Sequence, residues 1–509
     1  MALRRLGVQV PSGPHPKKFL TTFKSLNYTE KMAIKKTIRL FGLILLVLMV
    51  KPVLAQDYDN GPLSYPTAAF NSQTGEYLVV GFTGDANAYP VSPGKIVGQR
   101  YLRITPVSSR IFLVNDIDSK NMPFVIYNSR RNEFLVVFMR VVNDWDIRAI
   151  RVNAQGQRIS SSEIIVSDAP DQQWVPQVAY NPDRDEYLVT WHDMRYRATP
   201  SQKDIFGQFI SGDGQLIGQN FLISMDNSGN PAPNVQQYSS LAYNPRTKNF
   251  LIVWGDRRNE YQSDTIYDVY GAFVSGETHQ VVGAQKNFLI NHFAAASRPY
   301  QERNEYPQVA YNFARDEFLV VWQQRTTNPD AYIINGVEYP GRSVKVFAMR
   351  VEGNGNLSRE PIILDNEAGI FGRIYDLPRP VVSCNWETGV CLTGWRNFMG
   401  AYVQGRFFLA NGAIGDSFQL GNASNNPRIF LASAPPRREF LEVLGHNSFG
   451  IFAFSEPGVS SCPNEGLGNF DCDPQGLINE RDLTIFLSRW GQQGIGEREL
   501  EILLANWGS

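Results

Sequence analysis

The chain has 509 residues, with 48 basic and 49 acidic side chains and a formal charge of −1. That balance excludes the one-signed field on which binders of nucleic acid or anionic surfaces rely, while the length allows one large domain with an appendage or several smaller ones. Aromatics at 12%, with 42 Gly and 30 Pro, fit a turn-rich β protein rather than a helical one.

Residues 1–31 match neither a targeting segment nor a domain, and read as a mis-called extension ahead of a true start at Met32. From there Lys35, Lys36 and Arg39 form a positive region, Phe41 to Val50 an apolar one, and Val53 and Ala55 a V-x-A cleavage site before Gln56. The apolar run is too short to span a bilayer well, so 32–55 is expected to be a cleaved signal peptide and the mature protein to be secreted, without a membrane span. In an oxidising compartment the four cysteines read as two disulfides, Cys384 with Cys391 and Cys462 with Cys472.

Residues 176–191 read PQVAYNPDRDEYLVTW and residues 307–322 read PQVAYNFARDEFLVVW. Related phrases begin at Pro66, Pro123, Ser239 and Pro380, with a looser one at Pro427, giving seven copies whose starts lie 47 to 73 residues apart. Such a period signals a repeat architecture. Each copy reads as strand, turn, strand; the second strand is apolar throughout and so is expected to be covered on both faces. Third strands follow (DIRAIRVN, DIFGQFIS, DVYGAFVS), then Gly-rich turns and short fourth strands (EIIVS, NFLIS, NFLIN). The pattern predicts a mainly β fold, a seven-bladed β-propeller of four-stranded antiparallel blades over residues 57–457. The last copy lacks a fourth strand, and the segment from Gln56 to Tyr65 is short and polar, so ring closure stays open.

Within the copies, an aromatic ends strand one and another opens strand two: Phe70/Tyr77, Tyr127/Phe134, Tyr180/Tyr187, Tyr243/Phe250 and Tyr311/Phe318. These are expected to face each other across a hairpin. In the sixth copy both positions become cysteine, Cys384 and Cys391, which places a covalent link where the aromatic contact would be. Glu76, Glu133, Glu186, Glu317 and Glu439 recur at the start of strand two; a ring of acids and a set of residues holding turn amides are the two readings, and the second weighs more.

After strand two the copies diverge into polar segments that put an arginine just past a tryptophan. Trp191, Asp193, Arg195, Asp256, Arg257, Arg325 and Arg396 are the candidate ligand-binding residues, suited to a glycan or a protein ligand. The competing reading packs the tryptophans between blades and pairs the arginines with neighbouring acids. Enzyme motifs are absent: the histidines form no H-E-x-x-H, no G-x-S-x-G occurs, and the S-x-D-x-G-x-x-W box of sialidase propellers is missing, so no catalytic residue is assigned. The expected function is a secreted binding or adhesion protein; the alternative is a polysaccharide-active enzyme, of glycoside hydrolase or lyase type.

Residues 458–509 change character. Two helical faces are legible, Leu483, Phe486, Leu487 and Trp490, then Leu500, Leu503, Leu504 and Trp507. Ahead of the first, DCDPQGLINERD places Asp471, Asp473, Gln475, Asn479 and Asp482 at positions 1, 3, 5, 9 and 12, with Gly476 at the sharp turn and the Leu477 carbonyl at position 7. This stretch resembles the EF-hand-type loop–helix unit of dockerin domains. The resemblance covers about fifty terminal residues and implies a small helical module, one bound Ca2+ and a cohesin-like partner. Gln475 stands where an acid is usual, and the second repeat, GQQGI, has no acidic loop, which argues against a symmetric docking surface. The propeller copies, over residues 62–456, resemble a loose group of secreted bacterial repeat proteins with the phrase P-x-V-A-Y-N-x-x-x-x-E-Y-L-V-V-W, which implies fold and export alone.

Overall fold

The computed structural model describes residues 63–457 apart from 84–93, 260–266, 292–300, 371–378, 398–401, 423–427, 446–448 and a few single positions, and apart from side chains within 327–343 and 367–370. The segments expected to be an extension, a signal peptide, a Cys462–Cys472 disulfide, a calcium loop and a helical tail lie outside the described residues. The described strands belong to one compact unit, Gly61–Thr105 with Ser109–Pro457.

That unit is a seven-bladed β-propeller. Seven antiparallel sheets follow one another along the chain, each a meander running outward from the axis. Their inner strands are Ser64–Asn71, Lys120–Asn128, Gln173–Asn181, Gln236–Asn244, Gln301–Asn312, Val381–Cys384 and Arg428–Ala434. Blade 3 shows the plan: Gln173–Asn181, Glu186–Asp193, Asp204–Ser211 and Leu216–Leu222, each paired with the next.

The apolar second strands are explained by where their two faces go. In blade 2, Phe134, Val136 and Phe138 pack into the cluster shared with blade 1, whereas Leu135, Val137 and Met139 pack into the cluster shared with blade 3. Every consecutive pair of blades shares such a cluster. Burying an aliphatic or aromatic side chain stabilises by about 1.5–3 kcal/mol, so these interfaces carry much of the fold.

The predicted register is present: Phe70 faces Tyr77, Tyr180 faces Tyr187 and Tyr311 faces Phe318, with ring centroids 5.1–5.2 Å apart. Cys384 faces Cys391 in the same register, and the two are joined by a disulfide.

The turn between these strands is held by the asparagine that ends the inner strand. Asn71 Oδ1 accepts from the amides of Gln73 and Thr74 at 2.9 and 3.1 Å, and Asn244 Oδ1 from those of Arg246 and Thr247 at 2.8 and 3.2 Å. The same side chains then reach the next blade. Asn128 Nδ2 donates to Asp185 and to the Tyr187 hydroxyl, at 2.7 and 2.8 Å, and Asn244 Nδ2 donates to Asp316 at 3.0 Å. Asn71, Asn128, Asn244, Asn312 and Asn385 are thus both turn cap and inter-blade latch, whereas Asn181 caps its turn through the amide of Asp183.

The recurring glutamates therefore do not serve the turn amides. They pair with arginines instead: Glu76 with Arg100 at 2.9 Å, Glu133 with Arg151 at 2.7 Å and Glu317 with Arg315 at 2.8 Å. Glu186 meets Arg184 at 3.1 Å and His279 at 2.8 Å.

Ring closure is by packing. Blade 7 has three strands, Arg428–Ala434, Glu439–Gly445 and Gly450–Ser455, and none of the described residues adds a fourth. Ala432, Leu441 and Val443 instead bury against Ala68, Tyr77 and Val79 of blade 1. Arg103 to Glu439 at 2.6 Å and Arg428 to the Tyr65 hydroxyl at 2.9 Å link the same two blades.

Candidate functional site

The inner strands share a device at the end where they begin. Their pairing slips between Ser64 and Thr67, Asn121 and Phe124, Trp174 and Gln177, Gln237 and Ser240, and Glu305 and Gln308. Each slip is a bulge carrying a non-glycine residue at positive φ: Tyr65 at 48°, Met122 at 48°, Val175 at 56°, Tyr238 at 58° and Tyr306 at 54°. Arg379, just ahead of the sixth inner strand, repeats it at 43°. Proline follows in five of the six (Pro66, Pro123, Pro176, Pro307 and Pro380) and has no N–H to leave unpaired at the bulge. A left-handed backbone costs about 1–3 kcal/mol at a non-glycine residue and is a true outlier for a β-branched one such as Val175.

What the bulges build is an axial cavity of 370 Å³, lined by all seven inner strands or the residues just before them. Its chemistry is concentrated in Tyr65, Tyr238, Tyr306, Arg379 and Arg428. The rings of Tyr238 and Tyr306 lie 4.4 Å apart at 36°. The Arg379 guanidinium sits 4.8 Å over the Tyr306 ring, and that of Arg428 4.5 Å over the Tyr65 ring. Burial pushes the Tyr238 and Tyr306 phenols up, the first helped by its tyrosine neighbour and the second by the Glu305 charge, so both remain protonated donors. Arg379 is fixed from behind through its backbone N–H, which donates to Gln323 Oε1 at 3.0 Å.

The sequence-predicted ligand residues stand elsewhere; none of them lines the cavity. Trp191 is fully buried and donates through Nε1 to Asp193 at 2.8 Å, and Arg195 holds the same carboxylate at 2.7 and 2.9 Å while lying 4.2 Å over Phe206. Blade 4 repeats this with Trp254, Asp256 and Arg258, not with Arg257, which lies 5.3 Å over Tyr267. Arg325 pairs with Glu305 through two hydrogen bonds of 2.8 Å, and Arg396 is buried in the second strand of blade 6. The W-x-D-x-R arrangement of blades 3 and 4 braces the end of the second strand, and Arg195 also reaches Ser167 of blade 2 at 3.0 Å. Arg325 supports the cavity at one remove, because Glu305 precedes Tyr306.

A buried carboxyl pair occurs in blade 3, where Asp193 faces Asp204 across two strands. Burial, then the charges of Asp193 and Asp256, push Asp204 up to about 7, while its hydrogen bond from Ser224 acts the other way. Both are under 2% exposed, so a sugar reaches neither in this arrangement. Among the described residues no group of His, Cys, Asp and Glu is placed to hold a metal ion.

The cavity residues carry one signal that reading along the chain passed over. A bulky residue stands before the proline that opens most copies (Tyr65, Met122, Val175, Tyr306, Arg379), and it belongs to no alternation.

No family model matches this chain, and comparison with curated proteins finds no match. Solved structures do match. A lectin, BP39L, from Burkholderia pseudomallei is 7% identical, with a TM-score of 0.45 over 78% of this chain and 97% of the lectin. An α-L-arabinanase from Penicillium chrysogenum is 12% identical, with a TM-score of 0.39 over 72% of this chain and 96% of the enzyme. A thermostable family-43 glycoside hydrolase is 13% identical, with a TM-score of 0.35 over 61% of this chain and 97% of that one. At these identities the likeness is one of fold. Several glycoside hydrolases share it as well as the lectin, so the expectation of a non-catalytic binding or adhesion protein gives way to the enzyme alternative as a proposal.

Proposed function

We propose that the propeller is a polysaccharide-degrading hydrolase that takes its sugar chain at the axial cavity. The observation that carries this reading is the set of six strained, non-glycine backbones that together present aromatic and arginine side chains to one enclosed space. Strain of that kind persists where the fold over-determines it, and it clusters at sites of function. Aromatic faces suit the apolar faces of sugar rings, and guanidinium and phenol donors suit their oxygens. Glycoside hydrolysis also needs two carboxylates. The described lining holds none, so the acid pair has to be supplied by chain beyond that lining.

The test is release of reducing ends from a panel of plant and bacterial polysaccharides. The expected result is turnover of at least one, with kcat/KM at least about tenfold lower in Tyr306→Ala, the cost of losing one aromatic platform. Absence of turnover across the panel by folded protein contradicts the reading.

We further propose that the protein is exported, with 32–55 removed, and that the tail holds one calcium ion. The disulfide in blade 6 supports the first. For the second, the donor set fits: Asp471, Asp473 and Asp482 with the amide oxygens of Gln475 and Asn479 and the Leu477 carbonyl are hard oxygen ligands of the kind calcium takes. Calorimetry on the whole protein should find one site, lost in Asp471→Ala. Two sites, or undiminished binding in that variant, contradict this reading of the loop. A cohesin-like partner for the helical tail is the corresponding proposal for docking.

A further inference from the structure

We propose that the axial cavity selects a sugar bearing an anionic substituent, a carboxylate or a sulfate ester. This rests on the hydrolase reading and narrows its substrate class.

The cavity is cationic by construction. Arg379 and Arg428 are its described charged residues, and no carboxylate lines it. Neither guanidinium makes an ion pair among the described residues; each lies over a tyrosine ring instead, at 4.8 and 4.5 Å. Glu305, next in the chain to Tyr306, is taken by Arg325.

Elsewhere in this propeller several part-buried arginines are neutralised by a carboxylate. Arg195 meets Asp193, Arg258 meets Asp256 and Arg100 meets Glu76. Leaving two cations without a counter-charge in an enclosed space is costly unless something of opposite sign arrives. A tyrosine face offsets part of that cost, about 0.5–2 kcal/mol per pair by cation–π attraction. A guanidinium has five N–H donors. Within the cavity one of those on Arg428, at Nη2, goes to the Tyr65 hydroxyl at 2.9 Å.

The phenols complete the case. Tyr238 and Tyr306 stay protonated, because burial holds their ionisation well above neutrality, so they add neutral donors and no competing negative charge. A neutral sugar uses the aromatic platforms and can accept hydrogen bonds from the phenols and guanidinium groups, but it leaves the two arginine charges uncompensated. A uronic acid or a sulfated sugar uses both sets, its ring on tyrosine and its anionic oxygens on arginine.

The test is calorimetric binding at low salt of three oligosaccharides of equal length: oligogalacturonate for the carboxylate, a sulfated galactan fragment for the sulfate ester and arabino-oligosaccharide as the neutral one. At least one anionic probe should bind about tenfold or more tighter than the neutral one, and which of the two does so identifies the substituent. Arg379→Gln and Arg428→Gln should each lower anionic affinity about tenfold, the loss of a charge-assisted hydrogen bond, and lower neutral binding by distinctly less. Arg379→Lys and Arg428→Lys, which keep the charge, serve as second variants should the glutamines unfold. Equal binding of all three probes, or anionic binding indifferent to both arginines, overturns the proposal. Turnover of a neutral polysaccharide with no anionic preference sinks this inference and leaves the hydrolase reading standing; anionic preference without turnover of any polysaccharide does the reverse.

Discussion

Glu442 departs from its repeat. In the second strands of the other blades its position is filled by Val79, Val136, Val189, Ile252, Val320 and Thr393. Glu442 is fully buried beneath Gly421 and Phe452, and neither carboxyl oxygen has a hydrogen-bond partner. Burial pushes its pKa from an ordinary 4.5 up to about 8. Between those values the folded chain keeps a proton that the unfolded chain has released, so stability falls as pH rises through that window. Replacing the acid with the valine of the other blades should stabilise the protein by roughly 1–3 kcal/mol near neutral pH, the cost of one unsatisfied buried polar group. Denaturant unfolding of Glu442→Val at pH 5 and pH 8 checks this: the gain over wild type should be larger at pH 8, and a gain independent of pH contradicts the assignment. The asparagine latches belong to the same scale. Asn71, Asn128, Asn244 and Asn312 stand in plain view after the aromatic of their copies, and Asn385 after Cys384. Their bridging role was not legible, because it depends on which residue of the next blade comes within reach. Asn385, for example, donates to Glu456 at 2.6 Å, from beyond the last strand.

At the scale of the element, the hairpin register was legible because two aromatics seven residues apart can meet only if the turn between them is tight. The sixth blade makes that register testable. Cys384→Tyr with Cys391→Phe should restore the aromatic contact of the other blades and give a folded protein whose stability no longer falls on adding reductant. If the double variant fails to fold while the reduced wild type remains folded, the equivalence of the two contacts is wrong. The loop closed by the disulfide is short, so its removal costs less than that of a long-range bridge. The second strand of blade 5 ran beyond expectation. The repeat phrase ends at Trp322, yet the strand continues to Ile334 and pairs back through Val337–Glu352. The sequence carries a signal for this: Asn-Gly at 335–336, between β-branched and aromatic residues, is the dipeptide that favours a two-residue hairpin. It was obscured because the repeat phrase supplies a plausible strand end at the tryptophan. The bulges were illegible for another reason. They interrupt the alternation by which strands are recognised, and proline at their second position reads as punctuation before a strand rather than as part of one.

For the whole molecule, blade number and order followed from counting copies. The site did not, because it forms where seven separated segments meet at one end of the axis. Residues that looked chemical along the chain, such as Trp191, Asp193 and Arg195, are joined to one another inside a blade. Those that face the cavity, such as Tyr238 and Arg428, look unremarkable in their local sequence. Closing the ring by packing and ion pairs, with no shared strand among the described residues, leaves the junction between blades 7 and 1 dependent on side chains that also wall the cavity, Arg428 and Tyr65. The central claim is that this cavity is where the sugar binds. It is tested most directly by a crystal structure of the protein with an oligosaccharide released from the polysaccharide it degrades. The account predicts sugar density against Tyr238 and Tyr306, within hydrogen-bond reach of Arg379 or Arg428. Density at the opposite end of the axis or on the outer edges of the blades, with the cavity holding only solvent, would contradict it.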